Sequence, residues 1–403
     1  MKLAIIKERK NPPDRRVVFS PDACADLLKQ YPNLEIKIES SDIRVFTDEE
    51  YKAKGLVVTN DISDCDVLLG VKEVPIDDLI AHKSYFFFSH TFKKQPYNRD
   101  LMRAFLSKNI EMYDHEAITN TKEHRTVAFG RYAGIVGAYN GFRAYGLKYE
   151  TFDLVKAEHS KDQKALIENL KEIKKTLPNI KVVLTGKGKV SGGAKEMLDG
   201  MAMKEVSPSD FLNNTYNESV YTQLDVMDYN IRKDKKTIDK YDFYNNPTDY
   251  DSNFMRFAKV ADLYISGHFF GTGSPFIFTR EDAKSANFNI KVVADVSCDI
   301  DGPVACTIKP STIANPVYGY DPLTEKETDY KNKNAIAVMA VDNLPCELPN
   351  DASVGFGKMF GKYVIPAFFN NDADGVLQRA RMTKDGKLTP RFKYLQDYVD
   401  GKE

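Results

Sequence analysis

Two side chains that can carry protons follow two apolar runs near the start of the chain. Lys72 and Glu73 come directly after VLLGV, and His90 comes directly after YFFFS. Ligands of open parallel sheets bind beyond the carboxyl ends of the strands, so we expect these residues at one edge. A lysine with a lowered pKa and a histidine exchange protons near neutral pH. The pair predicts acid–base chemistry; the alternative is a solvated lysine and a capping histidine.

A glycine turn is the second chemical motif. The strand IKVVL leads into TGKGKVSGG and then into a helical pattern, AKEML. Gly186, Gly188 and Gly193 would leave bare backbone for a pyrophosphate, and the helix amides would receive its charge. The spacing is one residue off the usual fingerprint, so an ordinary strand-to-helix turn is the alternative. The predicted contacts of NAD or NADP here are Gly186, Gly188, Lys189, Val190, Ser191 and Gly192.

The choice between the two nucleotides stays open in the sequence. An acid about 20 residues after the turn would bind the ribose of NAD, and Glu205 and Asp210 are the candidates. Ser207 and Ser209 could instead accept the phosphate of NADP.

Cations follow the first predicted strand and flank a later one. Lys10, Arg15 and Arg16 come after the first strand, and Arg125 and Arg131 bracket a predicted strand, TVAFG. Arginine binds carboxylates through two parallel hydrogen bonds. These residues predict a site for carboxylates if the fold draws them together, and surface charges if it does not.

The elements that must position these residues alternate between strand and helix. Strands are predicted at 2–7, 34–39, 65–71, 84–89, 110–113, 180–184, 263–265, 291–294 and 335–341, and helices at 21–31, 99–109, 131–148, 161–176, 351–363 and 376–382, the last closing the chain. This rhythm predicts an α/β fold with two Rossmann-like, doubly wound halves. The stretch 214–254 has no clean periodicity and is interpreted as a mixed insertion or an irregular excursion.

The helix predicted at 131–148 carries small residues on one face. Gly134, Gly137, Ala138 and Gly141 recur at helical spacing. Such a face indicates a very close neighbour, which is either another helix or the crossing between two domains.

Composition narrows the class of partner. The chain has 403 residues, 42% hydrophobic and 29% charged, with a formal net charge of -1. We therefore expect two or three domains and a small-molecule partner, with no nucleic acid and no membrane surface. No apolar run approaches the roughly 20 residues that span a bilayer, and MKLAIIKERK is unlike a signal peptide, so a cytoplasmic location is expected.

Metal binding is not expected. The five cysteines form no C-x-x-C pair. The loop Asn370–Gly375 mimics part of a calcium site, but Arg381 stands where the bidentate glutamate belongs, so its acids are interpreted as turn or cap residues.

Longer motifs resemble one family. KERKNPPDRR with FSP, LLGVKEVP, YFFFSHTFK, YDHE, VAFGRYAG, LTGKGKVSGGA, VADVSCDIDG and VDNLPCELPNDAS are similar, in order, to the lysine-ketoglutarate reductases, the lysine-forming saccharopine dehydrogenases. The resemblance runs from Met1 to about Phe369. It is nearest to the reductase half of the bifunctional lysine-degrading enzyme, without the saccharopine-cleaving half.

The resemblance implies an architecture similar to alanine dehydrogenase and transhydrogenase, with two Rossmann-like domains and a cleft between them. Residues 1–133 with 351–403 would form the substrate domain, and 134–350 the nucleotide domain. The reaction would join lysine to 2-oxoglutarate and reduce the imine to saccharopine with NADH or NADPH, or run in reverse. The expected partners are these small molecules, and an oligomer is possible.

The resemblance also assigns roles. Lys72 and His90 match the acid–base pair, and Glu73 and Glu116 match acids that tune it. Lys10, Arg16 and Arg125 match cations near the substrate carboxylates, and Asp295 matches an acid near the nicotinamide. The alternatives are another amino-acid dehydrogenase or opine-type reductase of this fold, and a non-catalytic nucleotide-binding relative.

Overall fold

The computed structural model describes residues 1–236 and 239–402. The chain forms two compact units: Met1–Phe129 with the segment that begins at Pro349, and Gly130–Leu348. These breaks lie a few residues before the predicted boundaries, because helices begin at Gly130 and Pro349 and each helix belongs whole to one unit.

The first unit is built on a parallel sheet. Its strands are β1 (Lys2–Ile5), β2 (Glu35–Glu39), β3 (Val57–Thr59), β4 (Val67–Lys72), β5 (Ser84–Phe88) and β6 (Glu111–Asp114). They lie in the order β3-β2-β1-β4-β5-β6, and each neighbouring pair is parallel. This is the doubly wound order, in which the strand sequence reverses between β1 and β4. The predicted α/β class is confirmed in this unit.

Helices connect these strands. They are α1 (Pro21–Gln30), α2 (Asp48–Ala53) and α3 (Arg99–Ser107). Helix α1 begins where the sequence predicts, because the Ser20 hydroxyl accepts the Ala23 N–H at 3.3 Å and Pro21 occupies the first turn. A strand was predicted over TVAFG, but no named strand covers it, and the side chain of Phe129 stacks on Phe356 with ring centres 4.6 Å apart.

The second unit carries a larger sheet. Its elements are α4 (Gly130–Tyr149), α5 (Gln163–Lys174), β7 (Lys181–Thr185), α6 (Lys189–Gly200), β8 (Lys204–Glu205), α7 (Pro208–Asn213), β9 (Val220–Leu224), α8 (Val226–Tyr229), β10 (Asn230–Arg232), α9 (Lys240–Asn245), β11 (Tyr250–Ser252), α10 (Met255–Ala258), β12 (Leu263–Ser266), α11 (Arg280–Lys284), β13 (Val292–Asp295), β14 (Val317–Asp321), β15 (Lys326–Thr328) and β16 (Ile336–Met339). The sheet order is β15-β14-β16-β13-β12-β7-β9-β8. From β16 to β8 the strands are parallel, whereas β14 and β15 form an antiparallel hairpin at the other edge.

Of the two interpretations of 214–254, the irregular excursion is wrong for part of that stretch. Strand β9 lies inside it and pairs with β7, next to the glycine turn. The β10–β11 ladder and two short helices make up part of the remainder. Residues 237 and 238 of the stretch lie outside the described residues. The polar neighbours of VYTQL hid a strand whose Tyr221 and Thr222 are fully buried.

The small face of α4 makes a tight helix contact. A Cβ atom on Gly134 would lie 1.8 Å from the Val190 carbonyl oxygen, and one on Gly193 would lie 1.9 Å from the Arg131 carbonyl oxygen. Further along α4, a Cβ on Gly137 would lie 2.4 Å from a methyl group of Val296. Helices α4 and α6 therefore touch backbone to backbone, which only glycine allows.

The chain returns to the first unit with α12 (Pro349–Tyr363), α13 (Val376–Ala380), the hairpin β17 (Thr383–Lys384) and β18 (Lys387–Leu388), and α14 (Gln396–Asp400). Helix α12 packs directly on the segment after β1. The Val17 N–H donates to Ser353 Oγ at 2.9 Å, and a Cβ on Gly357 would lie 2.8 Å from the Val18 carbonyl oxygen. The prediction that α13 closes the chain is wrong, because a hairpin and a further helix follow it.

The acidic loop before α13 binds main-chain N–H groups at the start of that helix. The Asp372 carboxylate accepts the N–H groups of Leu377 and Gln378 at 2.9 and 2.7 Å. In residues 1–236 and 239–402, no group of three or more His, Cys, Asp or Glu side chains could hold a metal ion. No helix in that part of the chain is long and apolar enough to cross a membrane.

Candidate active site

The first cluster lies at the carboxyl edge of the first unit's sheet, where β4 and β5 end. Lys72 is the last residue of β4, Glu73 follows it, and His90 comes just after β5. His90 Nδ1 lies 3.9 Å from Glu73 Oε2, and Lys10 Nζ donates to Glu73 Oε1 at 2.7 Å. The two adjacent strand ends thus bring a histidine, a carboxylate and an ammonium group together beside Lys72.

The surroundings of His90 and Glu73 set opposite protonation states. Burial lowers the pKa of His90, and the positive charge of Lys72 lowers it further, against the opposing effect of Glu73. Burial would raise the pKa of Glu73, but the hydrogen bond and charge of Lys10 outweigh it and hold that pKa below its usual value. Near neutral pH the cluster therefore presents a neutral imidazole beside an ionised carboxylate, which suits a group that must accept a proton.

Glu116 and Arg125 form the next part of the same edge. Lys93 Nζ donates to Glu116 Oε1 at 3.0 Å, and Arg125 Nη1 lies 4.0 Å from Glu116 Oε2. The Arg125 guanidinium lies over the Phe88 ring, 5.4 Å from its centre, and burial lowers its pKa. A partly desolvated arginine of this kind binds a carboxylate more strongly than a solvated one.

A buried carboxylate ties the His90 loop to the Glu116 loop. Asp114 Oδ2 accepts the Ser89 N–H at 2.8 Å, and Asp114 Oδ1 accepts the Glu116 N–H at 2.7 Å. Burial raises the pKa of Asp114 to about 6 although these hydrogen bonds lower it. The residues before His90 and at Glu116 therefore have a shared anchor.

Arg16 is paired inside the first unit. Its Nε and Nη2 donate to Asp14 Oδ1 and Oδ2 at 3.0 and 2.6 Å, and its guanidinium lies 4.3 Å from the centre of the Phe129 ring. Burial would raise the pKa of Asp14, but the charge and hydrogen bonds of Arg16 hold it at about 2. Arg15, in contrast, is exposed. Asp14 and the buried Glu8 were missed because both lie in a run of charged residues that reads as solvated.

Arg131 belongs to the second unit. Its Nε and Nη2 donate to the two carboxylate oxygens of Glu196 at 2.7 and 2.5 Å. This pair fixes the start of α4 against α6, and it gives Arg131 a structural partner within its own unit.

The glycine turn of the second unit has the backbone that a phosphate site needs. Gly186 has φ +97°, and a Cβ there would lie 2.5 Å from the Gly267 carbonyl oxygen. Gly188 precedes α6 and gives it no side-chain cap, and a Cβ on Gly188 or Gly192 would meet open space. Helix α6 is 12 residues long, and its amino end carries the positive end of the helix dipole. Because Gly188 has no side chain, nothing from this residue covers the free N–H groups of the first turn.

Two predicted contacts in the turn have partners within the unit. The Ser191 hydroxyl donates to the Gly188 carbonyl at 3.1 Å. The Val190 carbonyl oxygen lies against Gly134 of α4. Gly193, which the sequence offered as bare backbone for the pyrophosphate, lies instead against Arg131 in the helix contact. Its role is packing.

A cavity of about 460 Å³ opens beside this turn. It is lined by Gly186, Lys187, Gly188, Lys189, Val190, Asp225, Val226, Tyr229, Lys240, Tyr244, Gly267, His268 and Phe269. Its size is in the usual range of small-ligand sites, and it combines aromatic rings, lysines and one carboxylate. The cavity lies at the carboxyl ends of β7, β9 and β12, where open α/β sheets bind their ligands.

The carboxylate next to the turn is Asp225, which the sequence analysis missed. It follows β9, the strand that pairs with β7. The predicted acids lie elsewhere: Glu205 is on the edge strand β8 and pairs with Lys195 at 2.6 Å, and Asp210 hydrogen-bonds the Ser207 hydroxyl within the first turn of α7. Recognising VYTQL as a strand would have located Asp225 at its end.

Asp295 is fully buried at the end of β13. Its carboxylate accepts hydrogen bonds from the hydroxyls of Ser266, Ser297 and Thr307 at 2.5, 2.6 and 2.6 Å. The three donors fix the carboxylate in one orientation beside the end of β12.

His268 is a further residue that the sequence did not single out. Its Nδ1 lies 3.1 Å from Thr185 Oγ1 and 3.3 Å from the Tyr264 hydroxyl, and burial lowers its pKa against the opposing charge of Asp295. Within the described residues, Nε2 is buried and has no hydrogen-bond partner. His268 lines the cavity, and its position two residues after the end of β12 was the available signal.

Comparisons with known proteins agree on one group. The family model described as "Alanine dehydrogenase/PNT, N-terminal domain" matches residues 4–136. The mitochondrial alpha-aminoadipic semialdehyde synthase of Mus musculus is 26% identical and aligns with 100% of this chain and 48% of its own length. The lysine-forming, NAD(+)-linked saccharopine dehydrogenase of Candida glabrata is 24% identical, over 95% of this chain and 98% of its own. The chain thus spans about half the length of the mouse relative.

Solved structures show the same fold. An L-alanine dehydrogenase has a TM-score of 0.65 at 16% identity, over 99% of this chain and 100% of that one. A transhydrogenase from Sinorhizobium meliloti has a TM-score of 0.59 at 13% identity, over 96% of this chain and 100% of that one. At these identities the likeness shows the architecture alone, because one fold can carry many functions.

Proposed function

We propose that this chain is a member of the family of the lysine-ketoglutarate reductases and lysine-forming saccharopine dehydrogenases, to which its relatives point, and that it interconverts saccharopine with lysine and 2-oxoglutarate, using NADH or NADPH and their oxidised forms. One observation carries the proposal. Lys72, His90 and Glu73 lie together at the strand ends, with Lys10, Arg125 and Glu116 on the same edge.

Imine formation needs two kinds of proton transfer. The lysine ε-ammonium must lose a proton before its nitrogen attacks the ketone, and the ketone oxygen must gain protons before it leaves as water. Lys72 and His90 are the proposed pair, one acting on the amine and the other on the oxygen and the imine. Glu73 keeps a negative charge 3.9 Å from His90 Nδ1, which stabilises the imidazolium after it takes a proton.

The substrates supply the carboxylates that the cations of this edge would bind. Saccharopine has several carboxylates, and Lys10, Arg16 and Arg125 are the proposed contacts. Lys10 and Arg125 also lie near Glu73 and Glu116, and Arg16 holds Asp14, so binding would exchange or share these internal ion pairs. Because Phe88 and Phe129 cover one face of each arginine, the guanidinium planes are held in place before substrate binds.

The second unit fits a dinucleotide. The proposed pyrophosphate site is the amino end of α6 at Gly186–Gly192, and Asp225 is the proposed acceptor for a ribose hydroxyl. The unpartnered Nε2 of His268 and the aromatic cavity wall support a nucleotide at this place. When bound, the nicotinamide would supply or accept the hydride. Asp295 is the proposed acid on the nicotinamide side.

A substrate panel tests the proposal. NADH and NADPH oxidation would be followed with lysine plus 2-oxoglutarate and, separately, with pyruvate plus ammonia. We expect turnover with the first pair only. Turnover with pyruvate and ammonia, indifferent to lysine, would instead assign another amino-acid dehydrogenase activity. Nucleotide binding without turnover of either pair would favour a non-catalytic relative. The cytosolic location stays a prediction.

A further inference from the structure

Strand β4 contains a bulge just before Lys72. Leu69 lies opposite Phe86 of β5, whereas Lys72 lies opposite Phe88, so β4 uses three residues where β5 uses two. Successive side chains of a strand point to opposite faces, and one extra residue therefore turns every later side chain to the other face. The direction of the Lys72 side chain depends on this bulge.

On one side of the bulge, a carboxyl group takes the place of a neighbouring strand. Strand β1 ends at Ile5, and the last main-chain bond on that side runs from the Ile6 N–H to the Leu69 carbonyl at 3.0 Å. Beyond it, the N–H groups of Val71 and Lys72 donate to Glu8 Oε1 and Oε2 at 2.7 and 2.8 Å. Glu8 thus satisfies both amides of the bulge, and only 8% of its surface is exposed.

On the other side, a buried histidine holds the carbonyl. His115 Nε2 lies 2.8 Å from the Gly70 carbonyl oxygen, which can only accept, so Nε2 carries the proton. Burial lowers the pKa of His115 to about 3, so the ring stays neutral. The rings of Phe88, Phe356 and Phe360 contact it edge-on, with ring centres 4.9 to 5.6 Å away.

We propose that Glu8 and His115 are positioning residues that hold the β4 bulge from its two sides and so aim the Lys72 amine at the substrate. We call this pair the bulge clamp. The inference rests on the proposed function, in which Lys72 transfers protons. The positive charge of Lys72 lowers the pKa of both Asp14 and His90, so the Lys72 amine lies near these two groups, which supports the inference.

The test compares substitutions in the bulge clamp with a matched control. H115L removes the donor, H115Q keeps an N–H at a similar reach, and E8Q replaces one acceptor oxygen by a donor. The control is T383V: Thr383 is fully buried in the same unit, and its hydroxyl also bonds two main-chain groups, Met112 N–H and Ile110 C=O, at the start of β6. Thr383 lies at the edge of the sheet where the strands begin, whereas Lys72 and His90 lie at the edge where the strands end.

We expect H115L and E8Q to lower kcat/KM for lysine about 100-fold, the loss typical of a small misplacement, with nucleotide affinity unchanged. H115Q should recover most of the loss, and the pH profile of kcat/KM should change in H115L but not in T383V. T383V should lose stability but keep kcat/KM within about threefold. Crystal structures of H115L and E8Q should show the Lys72 side chain redirected.

Several outcomes would overturn the bulge clamp: wild-type kcat/KM in H115L and E8Q, an equal loss in T383V at equal stability, or an unmoved Lys72 side chain. If E8Q does not fold, the H115L and H115Q pair decides alone. If wild type does not act on lysine and 2-oxoglutarate, the proposed function fails, and the Lys72 orientation in the H115L crystal structure still decides whether the clamp holds the bulge.

Discussion

Gly193 in α6 lies against Arg131 in α4 so closely that a Cβ atom would stand 1.9 Å from the arginine carbonyl oxygen. The obstacle is backbone, which cannot rotate away as a side chain can. The two helices must separate if either surface gains a methyl group.

Gly193→Ala should therefore destabilise the second unit by about 3 kcal/mol, at the upper end of overpacking effects, measured by urea unfolding. Gly192→Ala is the matched control, because its Cβ would meet open space in the same helix. Alanine there should be neutral or stabilising by up to about 1 kcal/mol. Equal stability of the two variants would contradict the close helix contact.

Loss of the proposed acid–base pair should abolish turnover without releasing nucleotide. Lys72→Met and His90→Gln should each lower kcat by about 100- to 10,000-fold, since each removes a proton-transferring group. The affinity for NADPH, measured by its fluorescence on binding, should stay within about twofold. Lys29→Met, on the exposed face of α1, is the control. Unchanged turnover in both Lys72→Met and His90→Gln would remove these residues from the mechanism.

Nucleotide preference should shift in opposite directions with two cavity substitutions. Asp225→Ala removes a carboxylate that would repel the 2′-phosphate of NADP, so the ratio of kcat/KM with NADPH to that with NADH should rise. Lys240→Ala removes a cation from the same cavity, and the ratio should fall. Steady-state comparison of the two nucleotides measures both ratios. Equal ratios in both variants and wild type would place the ribose elsewhere.

Stability should fall with rising pH because of Glu8. Burial raises the pKa of Glu8 to about 8 from its usual 4.5, with Asp14 adding to the effect. Between these two values the unfolded chain has released the proton and the folded chain still holds it, so the free energy of unfolding decreases as pH rises. The full slope for one proton is about 1.4 kcal/mol per pH unit.

The comparison of wild type with E8Q isolates that slope. Urea unfolding at several pH values from 5 to 8 should show a steeper decline of the free energy of unfolding in wild type than in E8Q, whatever the absolute stability of the variant. Asp114, whose pKa burial raises to about 6, contributes in both proteins and cancels in the difference. Parallel pH curves would mean that Glu8 is ionised in the fold at neutral pH.

Much of the fold follows from apolar periodicity. Runs such as KVVL and YFFF have lengths and β-branched or aromatic content typical of buried parallel strands, and they form β7 and β5. Strand β9 was missed because Tyr221 and Thr222 are polar by composition yet fully buried. Burial of these residues depends on neighbours that are distant in sequence.

Part of the candidate site could also be predicted from the sequence. The carboxyl ends of parallel strands share an edge, so the proximity of Glu73 and His90 could be expected from sequence order alone. Asp225 and Glu8 could not be expected in their places. Predicting the place of Asp225 requires knowing which strand pairs with β7. Predicting the place of Glu8 requires knowing where β1 ends and that β4 has a bulge, and both depend on the register of the strands.

The return of α12 to the first unit has a consequence for biosynthesis. Helix α12 covers Val17 and Val18 and supplies Phe356 and Phe360 to the aromatic cluster around His115. A ribosome makes this helix after the whole of Gly130–Leu348. A nascent chain therefore carries the apolar faces of Phe88 and Phe129 uncovered while the second unit is translated and can fold. During that interval these faces are binding sites for chaperones and the points at which two nascent chains would aggregate.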